Sequence, residues 1–281
     1  MSYHEFTIAI ADRFKDHLIK KLGDSGCLGV IEQDEAVIAY FPEAVDIKTI
    51  INGLSLMKAL IEKSGLTNGL TFGHRLIPEQ DWKESWKKGF VPIDVGERFT
   101  ILPPWEKQRP GRINLVIDPA MAFGTGHHET TRSCLVLMEK YAALDAKESF
   151  LDVGTGTGIL AIAAAQMGYR RVAGVDTDIL AVDAAWSNIE LNQASAGIEI
   201  EEGSISVQSG TFDLITANII SSVLVLLAPE LASHLKPGGV AVLSGILLGQ
   251  EGEVIEAMEQ AGLRLFERYQ DGKWISLAVG R

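Results

Sequence analysis

Cysteine is scarce in this chain. Its two thiols, Cys27 and Cys134, stand far apart and in no metal-ligand spacing, so neither a disulfide framework nor a zinc site is expected. Basic residues are also few: 25 lysines and arginines stand against 37 acids, giving a formal charge of −12 and a pI near 5.0. Nucleic-acid binders usually carry a basic stripe, and this balance argues against a broad phosphate-binding surface. An acidic enzyme can instead steer a basic protein partner toward itself; the alternative is that the charge serves solubility alone. Membrane-spanning character is missing too. The uncharged stretch Leu214 to Pro229 falls short of a bilayer span and includes Thr216, Asn218 and two serines. The first residues, MSYHEFTIAIADRF, carry acids where a signal peptide needs a basic start and an unbroken apolar core. A cytoplasmic protein with no membrane contact is the expectation.

What is present suits a globular chain of about two domains: 281 residues, 47% hydrophobic and 22% charged. Residues 1–77 alternate strand-like and helix-like patterns in the order βαββαβ, with Ile47, Ile50, Ile51 and Leu54 marking one helical stripe. That order predicts a small ferredoxin-like α+β domain. It carries no cluster of catalytic residue types, which leaves it a recognition or packing role. Residues 78–118 hold Trp82, Trp86 and Trp105 among several prolines and read as a rigid linker, with Trp82 and Trp86 on one helical face. Residues 119–281 alternate strands and helices as a doubly wound α/β sheet, closing in a hairpin about Asp271-Gly272. Trp186 falls on the apolar face of a helix and reads as core.

The chain is organised around FLDVGTGTGILAIAAAQMGYRRVAGVDTD, from Phe150 to Asp178. A strand runs into Asp152, then a glycine turn with Gly154, Gly156 and Gly158, then a helix, then a second strand ending in Asp176. This is the layout of a nucleotide-binding βαβ unit, whose terminal acid accepts hydrogen bonds from a ribose. Its details depart from a dinucleotide fingerprint, because Ile159 stands where the third Gly or Ala belongs. An uncharged turn preceded by an acid suits a ligand with a cationic amino-acid end, S-adenosylmethionine, better than a pyrophosphate. Upstream, DPAMAFGTGHHETT opens another helix and places Thr131 in its first turn, where free N–H groups and hydroxyls face outward. His127-His128-Glu129 lacks the i, i+4 histidine pair of a zinc helix, and no metal is expected there. Downstream, Phe212 to Asn218 is a strand ending in a polar side chain at the carboxyl edge of the sheet, where open α/β folds bind ligands.

The tryptophan-rich DWKESWKKGFVPIDVGERFTILPPW, the FGTG hairpin, DVGTGTG and ANII occur in this order. Together they resemble the bacterial ribosomal protein L11 methyltransferase family over nearly the whole chain. The resemblance implies a class I methyltransferase sheet with a ferredoxin-like recognition domain, a linker and S-adenosylmethionine as methyl donor. It implies methylation of lysine side chains and the α-amine of the ribosomal protein. It carries cofactor contacts onto Thr131, Gly154, Gly156, Asp176 and Asn218, with Phe123 and Thr125 in a hairpin covering the ligand. Asn218 is the candidate for orienting the substrate amine. A related family methylates lysines of the electron-transfer flavoprotein β subunit, so that substrate is the alternative. An RNA or small-molecule acceptor is less suited: Asn218 is followed by Ile-Ile, not by the Pro-Pro-Tyr that receives a planar base. A non-catalytic binding protein is a third reading, against which the intact Gly154, Asp176 and Asn218 count.

Overall fold

A computed structural model describes residues 2–11, 14–33, 36–63, 70–77, 90–119, 128–142 and 148–281. The chain divides into two units, Met1–Gly89 and Phe90–Arg281.

The first unit contains β1 (Tyr3–Ala9), α1 (Lys15–Asp24), β2 (Gly29–Gln33), β3 (Ala36–Pro42), α2 (Ile47–Lys63) and β4 (Thr71–Ile77). All its strand pairs are antiparallel, in the order β2-β3-β1-β4. This is the ferredoxin-like arrangement expected from the pattern. On α2, Ile50, Leu54, Met57 and Ile61 recur along one face and are buried. They share a core with Phe6 and Ile8 of β1 and with Val37, Ala39 and Phe41 of β3. Phe6 and Phe41 meet edge-to-face, their ring centroids 5.7 Å apart.

The second unit opens with β5 (Ile93–Val95), β6 (Phe99–Leu102), β7 (Ile113–Val116) and α3 (Glu129–Tyr141). It continues with β8 (Ser149–Val153), α4 (Ile159–Gln166), β9 (Arg171–Asp176), α5 (Ile179–Leu191), β10 (Ile198–Glu202) and β11 (Phe212–Asn218). It ends with α6 (Ser221–His234), β12 (Leu235–Leu247), α7 (Glu251–Gln260), β13 (Arg264–Asp271) and β14 (Trp274–Gly280). Seven strands form one sheet in the order β10-β9-β8-β11-β12-β14-β13. The pairs from β10 to β12 are parallel, while β14 is antiparallel to both its neighbours. The chain starts in the middle at β8, steps outward to β10, then returns to β11 on the other side. That reversal opens a crevice at the carboxyl ends of β8 and β11, the place where such sheets take ligands. All five residues of β8 are buried, as a parallel strand covered on both faces requires.

Two readings change here. Of the stretch read as a linker, 78–89 lie outside the described residues, and with them Trp82 and Trp86. From Phe90 onward it belongs to the second unit. Strands β5, β6 and β7 make a three-stranded sheet, and Val95, Phe99, Ile101, Leu115 and Ile117 join the core formed with α3 and α4. Trp186 is not core: it is 36% exposed. The buried face of its helix is Ala181, Val182, Ala184, Ala185, Asn188 and Ile189, and position 186 falls at the edge of that face.

Candidate active site

The site grows from the turn after β8. Gly154, Gly156 and Gly158 all take positive φ, at 73°, 54° and 78°, a conformation that strains other residues. Space also restricts two of them. A Cβ on Gly154 would lie 2.5 Å from Ile219 Cγ2, and one on Gly158 would lie 3.2 Å from Ala185 Cα. The N–H groups of Gly154 and Thr155 both donate to the Val175 carbonyl, at 2.9 and 3.0 Å. This ties the turn to the end of β9 and sets Asp176 against it. Gly156 N–H donates to Asp176 Oδ2 at 2.9 Å, and Asp178 N–H to Oδ1 at 3.1 Å. The carboxylate is thus held by backbone donors on both oxygens, each of which keeps a lone pair for a ligand.

Above this turn opens a cavity of about 840 Å³, within the range of about 300–1,000 Å³ common for small-molecule sites. Asp176, Gly154 and Gly156 form one side; Asn218, Thr131 and Trp274 line it as well. Asn218 ends β11, and its Nδ2 donates to Thr131 Oγ1 at 3.4 Å. Thr131 is placed by the start of α3, where His128 is the N-cap and its ring accepts from Thr130 N–H. The His128 and Trp274 rings meet edge-on at 5.0 Å. Among the described residues lining the cavity there are two acids, Asp176 and Asp178, and no lysine or arginine. Such walls suit a cationic ligand and offer no charge to a pyrophosphate.

The whole chain, and not only this site, has relatives. Residues 3–281 match the family Ribosomal protein L11 methyltransferase (PrmA). The chain belongs to that family. A Ribosomal protein L11 methyltransferase of Pelotomaculum thermopropionicum is 36% identical and covers 99% of each chain. Its counterpart in Chloroflexus aurantiacus is 41% identical over 74% of this chain and 71% of its own. Among solved structures, the ribosomal protein L11 methylase of Lactobacillus delbrueckii subsp. bulgaricus is 33% identical, with a TM-score of 0.64 over 68% of this chain and 99% of that one. Family and fold together make this chain an S-adenosylmethionine-dependent methyltransferase, and the cation-compatible cavity fits that cofactor.

Asp152 has a different place from the one its sequence position suggests. It is buried to 1% exposure beneath the glycine turn and is not among the residues lining the cavity. Its oxygens accept from Thr216 Oγ1 at 2.7 Å and Thr155 Oγ1 at 2.9 Å. The parallel register of β8 and β11 sets Thr216 opposite Asp152 and so turns the carboxylate inward. Burial pushes its pKa up to about 7, against the lowering effect of the two threonines, with nearby Asp176 raising it further.

Of the residues named from the sequence, Thr131, Gly154, Gly156, Asp176 and Asn218 come together on this one cavity. Phe123 and Thr125 lie outside the described residues, as does the rest of the FGTG hairpin. His128, named from the sequence only for a metal reading that was set aside, and Trp274, Leu180 and Ser204, not singled out, also line the cavity. The N-cap position of His128 was readable from the threonines that follow it. Trp274 reaches the site from the far end of the chain, and nothing local marks it.

Proposed function

We propose that this chain transfers methyl groups from S-adenosylmethionine to lysine side chains and the α-amine of ribosomal protein L11. The observation that carries the reading is that Asp176 and Asn218, from opposite sides of the switch between β8 and β11, line one cavity whose charged walls are acidic. In this reading Asp176 holds the cofactor's ribose hydroxyls, Gly154 and Gly156 let the backbone approach it, and Thr131 and Asn218 border its amino-acid end. When bound, the cofactor supplies an electrophilic methyl group on a sulfonium.

The remaining work falls to the protein: to align an amine with that methyl and to receive it unprotonated. Alignment alone accounts for much of such a rate. Asn218 presents a side-chain carbonyl that accepts from the amine and fixes its lone pair, with Thr131 holding the amide in orientation. A free lysine titrates at about 10.4; transfer to a site bordered by Ile219, Ile220 and Val223 disfavours its charged form and brings that value down. No covalent nucleophile is required. Cys134 cannot serve as one, since complete burial pushes its thiol far up.

In this reading the first unit, Met1–Gly89, serves substrate recognition and the second, Phe90–Arg281, carries the catalytic site. The protein acts in the cytoplasm on a basic protein, without binding nucleic acid or membrane. Among the described residues no helix is long and apolar enough to cross a membrane. Incubating the enzyme with tritiated S-adenosylmethionine and a bacterial lysate tests the assignment. Label in the L11 band supports it, label in the flavoprotein β subunit favours the alternative lysine substrate, and label in RNA overturns the protein-substrate reading.

A further inference from the structure

Asp152 is a buried carboxylate that the mechanism above does not use. Its two oxygens join three parts of the site: Thr155 in the glycine turn, Thr216 in β11 two positions before Asn218, and the backbone of Ala161 in the first turns of α4. None of these partners is positively charged. Among the described residues, the titratable groups acting on it are Asp176 at the end of β9 and Cys134 on α3, so these surround the acid with another acid, a neutral thiol and hydroxyls. A buried anion without a countercharge is costly. The missing positive charge fits the ligand assigned to the cavity on the other side of the turn.

We propose that Asp152 is a positioning residue whose ionised carboxylate draws the glycine turn and β11 together, and that the cofactor's cation is what keeps it ionised. The proposal rests on the cofactor reading above. The hydrogen bonds allow two states. With Asp152 ionised, Thr155 and Thr216 both donate to it. With Asp152 protonated, one of these bonds reverses, and the Thr216 hydroxyl has a second acceptor within reach, the Leu151 carbonyl at 3.5 Å. Binding a sulfonium to the protonated form releases a proton to solvent and restores both threonine bonds. The upward shift of Asp152 to about 7 puts this exchange near neutrality. Affinity for the cationic cofactor therefore falls as pH drops below about 7 and levels off above it.

Calorimetry on the full chain, in buffers of different ionisation enthalpy, reads this directly. S-adenosylhomocysteine is the reference ligand, because it keeps the α-amine and ribose but has a neutral sulfur. In the wild type the ratio of S-adenosylmethionine to S-adenosylhomocysteine affinity is expected to rise by up to about tenfold between about pH 6 and pH 8, with proton release on binding the first ligand. In Asp152→Asn the ratio stays flat. A wild type that binds neither ligand defeats the cofactor reading itself. Binding with a pH-independent ratio, or the same pH dependence in the variant, overturns the role of Asp152 alone. If Asp152→Asn fails to fold, Thr216→Val supplies the second test. It removes one stabilising donor and should move the midpoint of the ratio to higher pH; an unmoved midpoint overturns the proposal.

Discussion

The two units of this chain bury polar groups in different ways. In the first, His4, Glu5 and Lys15 are buried and bond locally: His4 to His74, Glu5 to Arg75 and Tyr40, and Lys15 to the Gln33 carbonyl. In the second, Thr130, Thr131, Asp152, Thr155, Thr216, Ser244 and Ser276 are all buried, and six of them fall into two hydrogen-bonded groups. Ser244 contacts Ser276 at 2.7 Å and donates to the Thr130 carbonyl, while Thr155 and Thr216 meet on Asp152. Buried polar groups cost stability unless satisfied, and a network is costly to assemble. Together the two groups involve β8, β11 and β12, at whose carboxyl ends the cavity opens. Charge divides the same way. Residues 1–89 hold 13 acids and 11 bases, and residues 90–281 hold 24 and 14. One unit is organised for packing, and the other accepts electrostatic cost around a site.

Removing one unit breaks this comparison most directly. Deletion of residues 1–89 should abolish methylation of the protein substrate and leave cofactor binding nearly intact, since the described cavity residues all lie from His128 onward. Tritium transfer and calorimetry on the truncated chain measure the two effects; substrate methylation at the normal rate would refute the recognition role. Next in size come paired core truncations. Phe6→Ala and Phe150→Ala each empty a fully buried position and should each cost about 3–5 kcal/mol in urea melts. Their functional effects should differ: Phe150→Ala, within β8, weakens cofactor binding, whereas Phe6→Ala leaves it unchanged. Equal losses of binding in the two variants would deny that the site belongs to one unit.

Much of this was legible wherever the signal is local. The turn from Asp152 to Gly158 and the acid at Asp176 sit within one βαβ unit, so glycine spacing and strand length identify them together. The βαββαβ order likewise follows from short-range periodicity. What was not legible depends on distant partners. Whether Asp152 faces ligand or core is decided by Thr216, set opposite it by strand register. The burial of β6 is decided by helices it packs against, not by its four residues, and its surroundings of proline and charge read as linker. Trp186 kept a helical period but lost the core, because the buried face of its helix runs through Ala181, Ala185 and Asn188 and leaves position 186 at its edge. Asn188 was passed over inside the same helix. It is fully buried, and it bonds the Thr157 carbonyl and Asp118 N–H, tying the glycine turn before α4 to the segment after β7.

A moderate effect is expected from Asp176→Ala, which should weaken S-adenosylmethionine binding by about 1–3 kcal/mol through lost charge-assisted hydrogen bonds. Calorimetry reads it, and tight NADH binding without response to S-adenosylmethionine would overturn the ligand assignment. The variant also frees the Gly156 and Asp178 N–H groups. Asp176→Asn, which keeps one acceptor oxygen for them, should therefore lose less.

The smallest effects come from one ion pair in each unit, and they sharpen the contrast. Lys140 Nζ donates to Glu267 Oε2 at 2.6 Å, yet the lysine side chain is 60% exposed, and Glu267 also accepts from Tyr141 OH. Lys140→Ala should cost only about 0.2–1 kcal/mol, less still at high salt, because water and Tyr141 compensate the carboxylate. Arg75 is as exposed as Lys140, but its partner Glu5 has a side chain only 7% exposed and takes both guanidinium bonds. Arg75→Ala leaves that buried carboxylate without its cation, with the Tyr40 hydroxyl as a remaining partner, and losing hydrogen bonds to a charged group costs about 1.5–3 kcal/mol. Burial of the acid, not distance within the pair, should therefore rank the two losses. Urea melts of both variants at low and high salt decide it: equal losses, or an Arg75→Ala loss that vanishes in salt, would mean that Glu5 is solvated in solution and that the first unit's sheet face is looser than its packing implies.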